Sequence, residues 1–336
     1  MQKKDDFVSV VVCHHKGEFV PKLSESLTTT KDINYELIVV TSLPGKKFKN
    51  IRTIFSDSGP ANKRNVGARY ARGEYLAFFD DDTVVEPNTL FEMVKVLKQP
   101  NVGMVYGKTK NMEFRDRFDG AGSFLTWTGF LWAREENGII DEGQYDREEP
   151  VFAGKGACMM LKRSTFETVG GFEPVYEILA EETDISWNIW SIGQKVMWAP
   201  KALLYHAFNT KYKPWDYFYT NKRVYFNGCR NYILMHLKFL ELKNALRIIP
   251  ILMLGWFIAA CGMFLTGKPQ ASWNILKGLA YHFNPTYWKD TLERRKKVQL
   301  LRTKSDDELF KTIMKNPPLR FFVDRVLNYW KTGKHG

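Results

Sequence analysis

Cysteine is scarce and scattered. Four occur in 336 residues, Cys13, Cys158, Cys229 and Cys261, and no two stand in C-x-x-C spacing. That excludes a disulfide framework and a thiolate zinc site, and makes a reducing compartment the expected setting. An apolar leader is missing too. Met1 to Asp6 is polar and charged, unlike a secretory signal peptide, so a cytosolic start is expected. Internal repeats and low-complexity tracts are absent. Acidic residues are in deficit, 37 Asp and Glu against 49 Lys and Arg, a formal net charge of +12. Such a balance suits nucleic acid, an anionic membrane surface or phosphorylated small molecules, and does not choose among them. What is present is apolar: 44% hydrophobic and 15% aromatic residues exclude a disordered chain. The length allows one large domain, or one domain with a substantial appendage.

The first hundred residues alternate between two periodicities. Val8 to Cys13, Glu36 to Thr41, Asn50 to Phe55, Tyr75 to Phe79 and Val102 to Tyr106 read as short, apolar, parallel strands. Between them Glu18 to Thr30, Pro60 to Arg72 and Pro87 to Leu97 have helical spacing, with Pro60 suited to a first helical position and Gly73 to a stop. This βαβ rhythm predicts an α/β fold, a Rossmann-like and mainly parallel sheet covered by helices. Asn111 to Pro150 is rich in Gly, aromatic and charged residues and is expected to lie irregularly over the sheet. Ala157 to Lys162 resumes as a strand. Ser164 is placed to cap a short helix that stops at Gly170-Gly171. Glu181 to Ile192 reads as a helix, and Val196 to Ala199 and Leu203 to Tyr205 as extended chain.

One run carries chemistry by its position. Leu76 to Phe79 leads into Asp80, Asp81 and Asp82, at the edge where open α/β sheets bind ligands. Three adjacent carboxylates repel one another, so a counter-charge is expected. Mg²⁺ or Mn²⁺ serves, as a hard cation that takes both carboxylate and phosphate oxygens. A solvated acidic turn is the plain alternative, and the buried strand before the run weighs against it.

Gly59-Pro60-Ala61-Asn62-Lys63-Arg64-Asn65-Val66-Gly67-Ala68, followed by Gly73 to Asp82, resembles the family 2 glycosyltransferases of the GT-A fold. It is similar in particular to bacterial and archaeal enzymes of cell-surface polysaccharide synthesis, including the rhamnosyltransferase-like branch. The resemblance covers roughly residues 7 to 210. It implies a metal held by Asp80 and Asp82, with His206 completing the shell, and a nucleotide-sugar donor held by Cys13, His14, Thr41, Lys63, Arg64, Asn65, Asp80 and Asp81. A guanidinium at a helix start suits a diphosphate. Two positions depart from the pattern: Cys13-His14-His15 stands where the family often has Pro-Thr-Tyr, and Thr41-Ser42 where it often has Asp-Asp. Both leave the base and sugar open.

The resemblance extends to an acceptor side at Gly154, Lys155, Gly156 and Trp187. Glu181-Glu182-Thr183-Asp184 falls where the family has Glu-Asp-x-Asp and implies a general base, which takes the acceptor proton in an inverting transfer. The matching position is Glu182, with Glu181 and Asp184 as alternatives. Carboxylates in a first helical turn are also favoured by the helix dipole alone. The acceptor implied is a hydroxyl of a glycan or a polyprenyl-linked molecule.

From about residue 211 the character changes. Tyr212 to Tyr225 is dense in aromatics and lysines, Asn231 to Leu240 is amphipathic, Ile248 to Leu265 carries no charge, and Ser272 to Phe283 is a weaker apolar stretch. The tail from Pro285 carries 13 Lys and Arg against 6 Asp and Glu. A single span would strand that tail on the far side, against the positive-inside tendency. Residues 1–210 are therefore expected to form a catalytic domain, its donor half ending near 110, and residues 211–336 a helical region attached to an anionic surface in monotopic or hairpin fashion, at the cytoplasmic face of the cell membrane. Oligomerisation is left open. Nucleic acid is not expected, because no binding motif accompanies the charge. The competing readings are a nucleotidyltransferase, which lacks its phosphate loop here, and a non-catalytic lipid- or glycan-binding protein with a decayed site.

Overall fold

The computed structural model describes residues 6–134, 138–207 and 222–317. Most of the stretch from Tyr212 to Tyr225 and the end of the basic tail lie outside them. The expected rhythm is present: β1 (Phe7–His14), α1 (Val20–Leu27), β2 (Asn34–Thr41), β3 (Arg52–Phe55), α2 (Pro60–Tyr70), β4 (Tyr75–Asp80), β5 (Thr83–Val85), α3 (Thr89–Leu97) and β6 (Val102–Asn111). Pro60 opens α2 as expected. Residues 111–150 are mostly irregular but add β7 (Phe118–Gly120), β8 (Ser123–Leu125), β9 (Leu131–Ala133) and β10 (Glu149–Pro150). Then come β11 (Cys158–Lys162), α4 (Arg163–Val169), α5 (Glu181–Ser191) and β12 (Lys195–His206). Ser164 lies inside α4 and caps nothing; Lys162 takes the cap position, and left-handed Gly170 ends the helix. The two extended pieces expected near 196–205 form one strand whose register shifts between Ala199 and Leu203, across Pro200, which has no N–H to donate.

The main sheet runs β10-β12-β6-β11-β4-β1-β2-β3. Strands β1, β2, β3 and β4 are mutually parallel, while β11 enters antiparallel between β4 and β6. From β1 the chain winds outward to β2 and β3, then returns to place β4 on the other side. The strand order therefore reverses between β1 and β4, and a crevice at the carboxyl ends of such strands is where an open sheet binds ligands. Cys13 and Asp80 face each other across that junction.

Among the described residues, five further helices follow: α6 (Lys222–Phe239), α7 (Leu242–Leu265), α8 (Pro269–Tyr281), α9 (Pro285–Leu301) and α10 (Asp306–Ile313). Helix α6 packs on α5 through Trp187. Its indole is fully buried, stacked on Phe239 at 5.1 Å and meeting Phe152 and His236 edge-on. The expectation that Trp187 faces an acceptor is corrected here. Five residues beyond Glu182, it lies about 140° around the helix from that carboxylate, on the inner face. Truncating so large a core side chain costs about 3–5 kcal/mol. Trp187→Ala is accordingly expected to lower the thermal midpoint sharply, read by circular dichroism; an unchanged midpoint would place the indole outside the core.

Candidate active site

The carboxyl ends of β1, β2 and β4 deliver His14, Thr41 and Asp80 to one edge. Beyond β4, the short strand β5 pairs antiparallel with the end of β12, setting Thr83 opposite His206. The Ala207 N–H donates to the Asp82 carbonyl at 2.9 Å, and the Thr83 hydroxyl to the Asp80 carbonyl at 2.8 Å. Backbone pairing thus carries His206, more than 120 residues away in sequence, onto the triplet. His206 Nε2 lies 3.1 Å from Asp82 Oδ1 and 3.9 Å from Asp80 Oδ2. The ligand atoms of Asp80, Asp82 and His206 all fall within 4.8 Å of one another.

Two carboxylate oxygens and an imidazole nitrogen suit Mn²⁺ or Mg²⁺, and neighbouring ligands of such an octahedral ion stand about 3 Å apart. The other ring nitrogen of His206 is held by Asp119 Oδ2 at 2.8 Å, the outer-shell carboxylate that orients a metal-binding imidazole. Asp119 in turn accepts from Lys155 Nζ at 2.6 Å. The residues present therefore fit a divalent cation. Burial alone would lower the pKa of His206, but its bonds to Asp119 and Asp82 outweigh that and raise it to about 10. Asp81 is raised to about 7, by burial and then by Asp82 and Asp80.

Arg64, near the start of α2, is buried and joins two carboxylates. Nη1 donates to Glu181 Oε1 at 2.8 Å and Nη2 to Asp80 Oδ1 at 3.4 Å, with the guanidinium 5.5 Å from the Phe172 ring. Its burial would pull the pKa down; the charge of Glu181, first among the partners, raises it instead. Gly156 matters because a Cβ there would come within 3.0 Å of Arg64 Nη2, and Gly154 because a Cβ would sit 2.5 Å from the Tyr106 ring. Glu182 is partly exposed at the mouth of α5. Its backbone carbonyl accepts from Tyr106 Oη at 3.0 Å and Ser186 Oγ at 2.8 Å. Burial, and next the adjacent Glu181, pushes its pKa well above the ordinary glutamate range.

Several expected donor contacts are already engaged within the protein. Lys63 is buried rather than on an exposed basic face; Nζ donates to the His14 carbonyl at 3.0 Å and to Ser42 Oγ. The His14 ring bonds Thr41 Oγ1 at 2.9 Å and the Gly17 carbonyl at 3.2 Å. Cys13 Sγ contacts the Pro60 carbonyl at 3.7 Å, and burial raises its pKa to about 12. Asn65 closes both its amide ends on the Phe172 backbone, at 2.7 and 2.9 Å, so it fixes the turn after Gly170-Gly171. Asp184 is engaged by other partners, bonded to Tyr176 Oη at 2.8 Å and to Lys238 Nζ at 2.8 and 2.7 Å. Asp119, Tyr106 and Lys238 join the site without having been expected from the residues. A lysine on the apolar side of an amphipathic helix was the one available signal for Lys238; Asp119 sits in a stretch whose pattern reads as loop.

Residues 9–170 match the family model described as glycosyl transferase family 2. Among curated relatives, the chain is 28% identical over 148 residues to the O-antigen biosynthesis protein RfbC of Myxococcus xanthus, covering 42% of this chain and 12% of that protein. It is 31% identical over 115 residues to an uncharacterized glycosyltransferase of Haemophilus influenzae, covering 30% and 38%. It is 22% identical over 215 residues to the poly-beta-1,6-N-acetyl-D-glucosamine synthase of Staphylococcus epidermidis, covering 60% and 50%. Each aligned stretch thus spans half or less of the relative's length. Among solved structures, the chain superposes on GalNAc-T7 with UDP, GalNAc and Mn²⁺ at a TM-score of 0.63 and 15% identity, covering 96% of this chain and 58% of that one. It superposes on S. aureus TarS 1-349 at 0.52 and 12%, covering 88% and 90%. These likenesses concern the fold, which is of the GT-A type. With the strand-end triplet at the reversal of strand order, the match over residues 9–170, just under half of the chain, likens this GT-A type protein to glycosyltransferase family 2.

Proposed function

We propose that this chain transfers a sugar from a nucleotide-sugar donor to a hydroxyl of a glycan or polyprenyl-linked acceptor, with inversion, in the synthesis of a cell-surface polysaccharide or glycoconjugate. The observation that carries the reading is the meeting of Asp80, Asp82 and His206 within 4.8 Å, beside an Arg64 bridge to the carboxylates of α5. Asp80, Asp82 and His206 would hold Mn²⁺ or Mg²⁺, which supplies positive charge to the departing diphosphate. Asp119 and Lys155 hold the His206 ring in place. Lys63, Ser42 and His14 shape the floor on which the nucleotide would lie. Glu182 would accept the acceptor's proton while the acceptor oxygen bonds to the anomeric carbon and the bond from that carbon to the diphosphate oxygen breaks. Arg64 fixes Glu181, and so the first turn of α5, relative to Asp80.

The division of labour near residue 210 belongs to the same proposal, with residues 1–210 catalytic and 211–336 attaching to the membrane. Helix α7 is long and apolar enough to cross a bilayer by length and composition. Its buried positions, Asn244, Ile248, Leu252, Ala260 and Met263, run the length of the helix against the protein. Leu246, Leu254, Phe257, Ile258, Phe264 and Leu265 lie exposed along another face. One-sided burial supports a helix lying in the interface at the cytoplasmic leaflet.

Three measurements test the reading. The first is titration with UDP-N-acetylglucosamine, UDP-glucose, GDP-mannose and dTDP-rhamnose in Mn²⁺. One of them is expected to release nucleoside diphosphate, and Asp82→Ala to lose both Mn²⁺ affinity and at least about 100-fold in rate. A metal-binding imidazole must shed its proton, and His206 holds that proton up to about pH 10. Mn²⁺ affinity should therefore rise from pH 6 to pH 8, by up to about tenfold per unit for one proton displaced; affinity flat in pH would remove His206 from the shell.

The second is Glu182→Gln. A base with a raised pKa is disabled by its own proton at low pH, so wild-type kcat should climb with pH through a limb above the ordinary glutamate range. The variant should lose that limb and at least about 100-fold in kcat while binding donor normally. Retained activity would move the base elsewhere. The third is flotation with vesicles of phosphatidylglycerol: the chain should float, and Leu254→Glu with Phe257→Glu should sink. Equal flotation of both would place the membrane contact away from α7.

A further inference from the structure

We infer that Asn231, on α6 and far from the candidate site in sequence, is a positioning residue for the carboxylate pair that opens α5. The inference deepens the reading above and rests on it. Leu179 and Ala180, the two residues before Glu181, both take left-handed backbone, with φ of 69° and 75°. A side chain makes that conformation unfavourable, and adjacent pairs of such residues persist when their surroundings hold them. Ala180 stands at the cap position of α5 with no side-chain cap, so apart from the dipole preference of the first-turn carboxylates no side-chain hydrogen bond of its own secures the start of the helix.

Asn231 supplies the constraint from outside. It is fully buried, and Nδ2 donates to the Ile178 carbonyl at 2.9 Å and to the Leu179 carbonyl at 2.8 Å. Its Oδ1 accepts from Arg230 Nε at 2.9 Å, whose Nη2 donates to the Val175 carbonyl at 2.8 Å. Both amide hydrogens of Asn231 are thus spent on the two carbonyls that precede Ala180. The Ala180 carbonyl then accepts the Asp184 N–H at 2.8 Å, beginning α5. Where those carbonyls sit decides where Ala180 sits, and with it the direction in which Glu181 meets Arg64 and Glu182 leaves the helix. A base displaced by about 1 Å from its proton loses on the order of 100-fold in rate.

Asn231→Asp keeps the shape and the bond from Arg230 while removing both donors. Hydrogen exchange read by mass spectrometry should show faster exchange over residues 178–184, with α2 and β4 unchanged. With the four nucleotide sugars and Mn²⁺ used above, kcat should fall about 10- to 100-fold while the donor KM stays within about threefold. Adding Ala180→Gly, which takes positive φ freely, should restore part of the lost kcat. If Asn231→Asp fails to fold, the smaller and uncharged Asn231→Ser, which keeps one donor, carries the same measurements. Unchanged exchange at 178–184, or a loss in which kcat and KM move together and glycine rescues nothing, overturns the inference. A wild type that releases no nucleoside diphosphate counts against the proposed function instead, and the exchange measurement still decides the role of Asn231.

Discussion

A single buried guanidinium holds the two halves of the candidate site together. Arg64 rises from the helix that precedes the aspartate strand and ends between Asp80 and Glu181, carboxylates 101 positions apart in the chain. Burying a charge without partners is prohibitive, and breaking such a pair leaves a charge uncompensated at a cost of about 3–5 kcal/mol. The glycine at Gly156 and the ring of Phe172 are cut to this guanidinium: one leaves room for its edge, the other lies under its face. The segments that carry Asp80 and Glu181 therefore cannot drift apart without exposing or orphaning ions. Rigid placement of this kind is what lets charges act on a transferring group without reorganising.

The same logic repeats one layer deeper. Asp184, two residues beyond Glu182, is neutralised by Lys238 of α6, and Glu173 receives Lys238 and Arg294. Helix α5 thus meets Arg64 at its first residue and a lysine three residues on. Its carboxylates divide accordingly: Glu181 and Asp184 are committed to cations, and Glu182 keeps an exposed edge. Environment, and not residue type, separates the three.

Much of this was legible in the residues. The β-branched runs, Pro60 at a helix start and the apolar strand ahead of Asp80 name the fold and its binding edge, because each is a local pattern with a local cause. The candidate metal triad was legible from the residues only in part, His206 entering through the family resemblance. Asp80 and Asp82 stand at the end of a readable strand, whereas the approach of His206 depends on the β5–β12 pairing and its orientation on Asp119, 87 residues away in a stretch without periodicity. The roles of Lys63, Asn65 and Trp187 ran against expectation for one reason. A motif states which residue occupies a position, and packing states which way it faces. Asn65 turns inward to Phe172, Lys63 to the His14 carbonyl and Trp187 to α6.

The C-terminal helices connect these two scales. Helix α6 sends Lys238 and Asn231 into the segment around α5. The end of α8 is tied to α6 where His282 Nε2 bonds the Arg230 carbonyl at 3.1 Å, next to the residue that bonds Asn231. Helix α7 packs on α8 and carries the exposed apolar face. A region whose composition suggests only adhesion to lipid is thus joined, helix by helix, to the backbone that aims the carboxylates. Removing it would strip cations from Asp184 and Glu173 and hydrogen bonds from Ile178 and Leu179. The boundary near residue 210 is consequently a change in composition rather than a line along which the site can be cut.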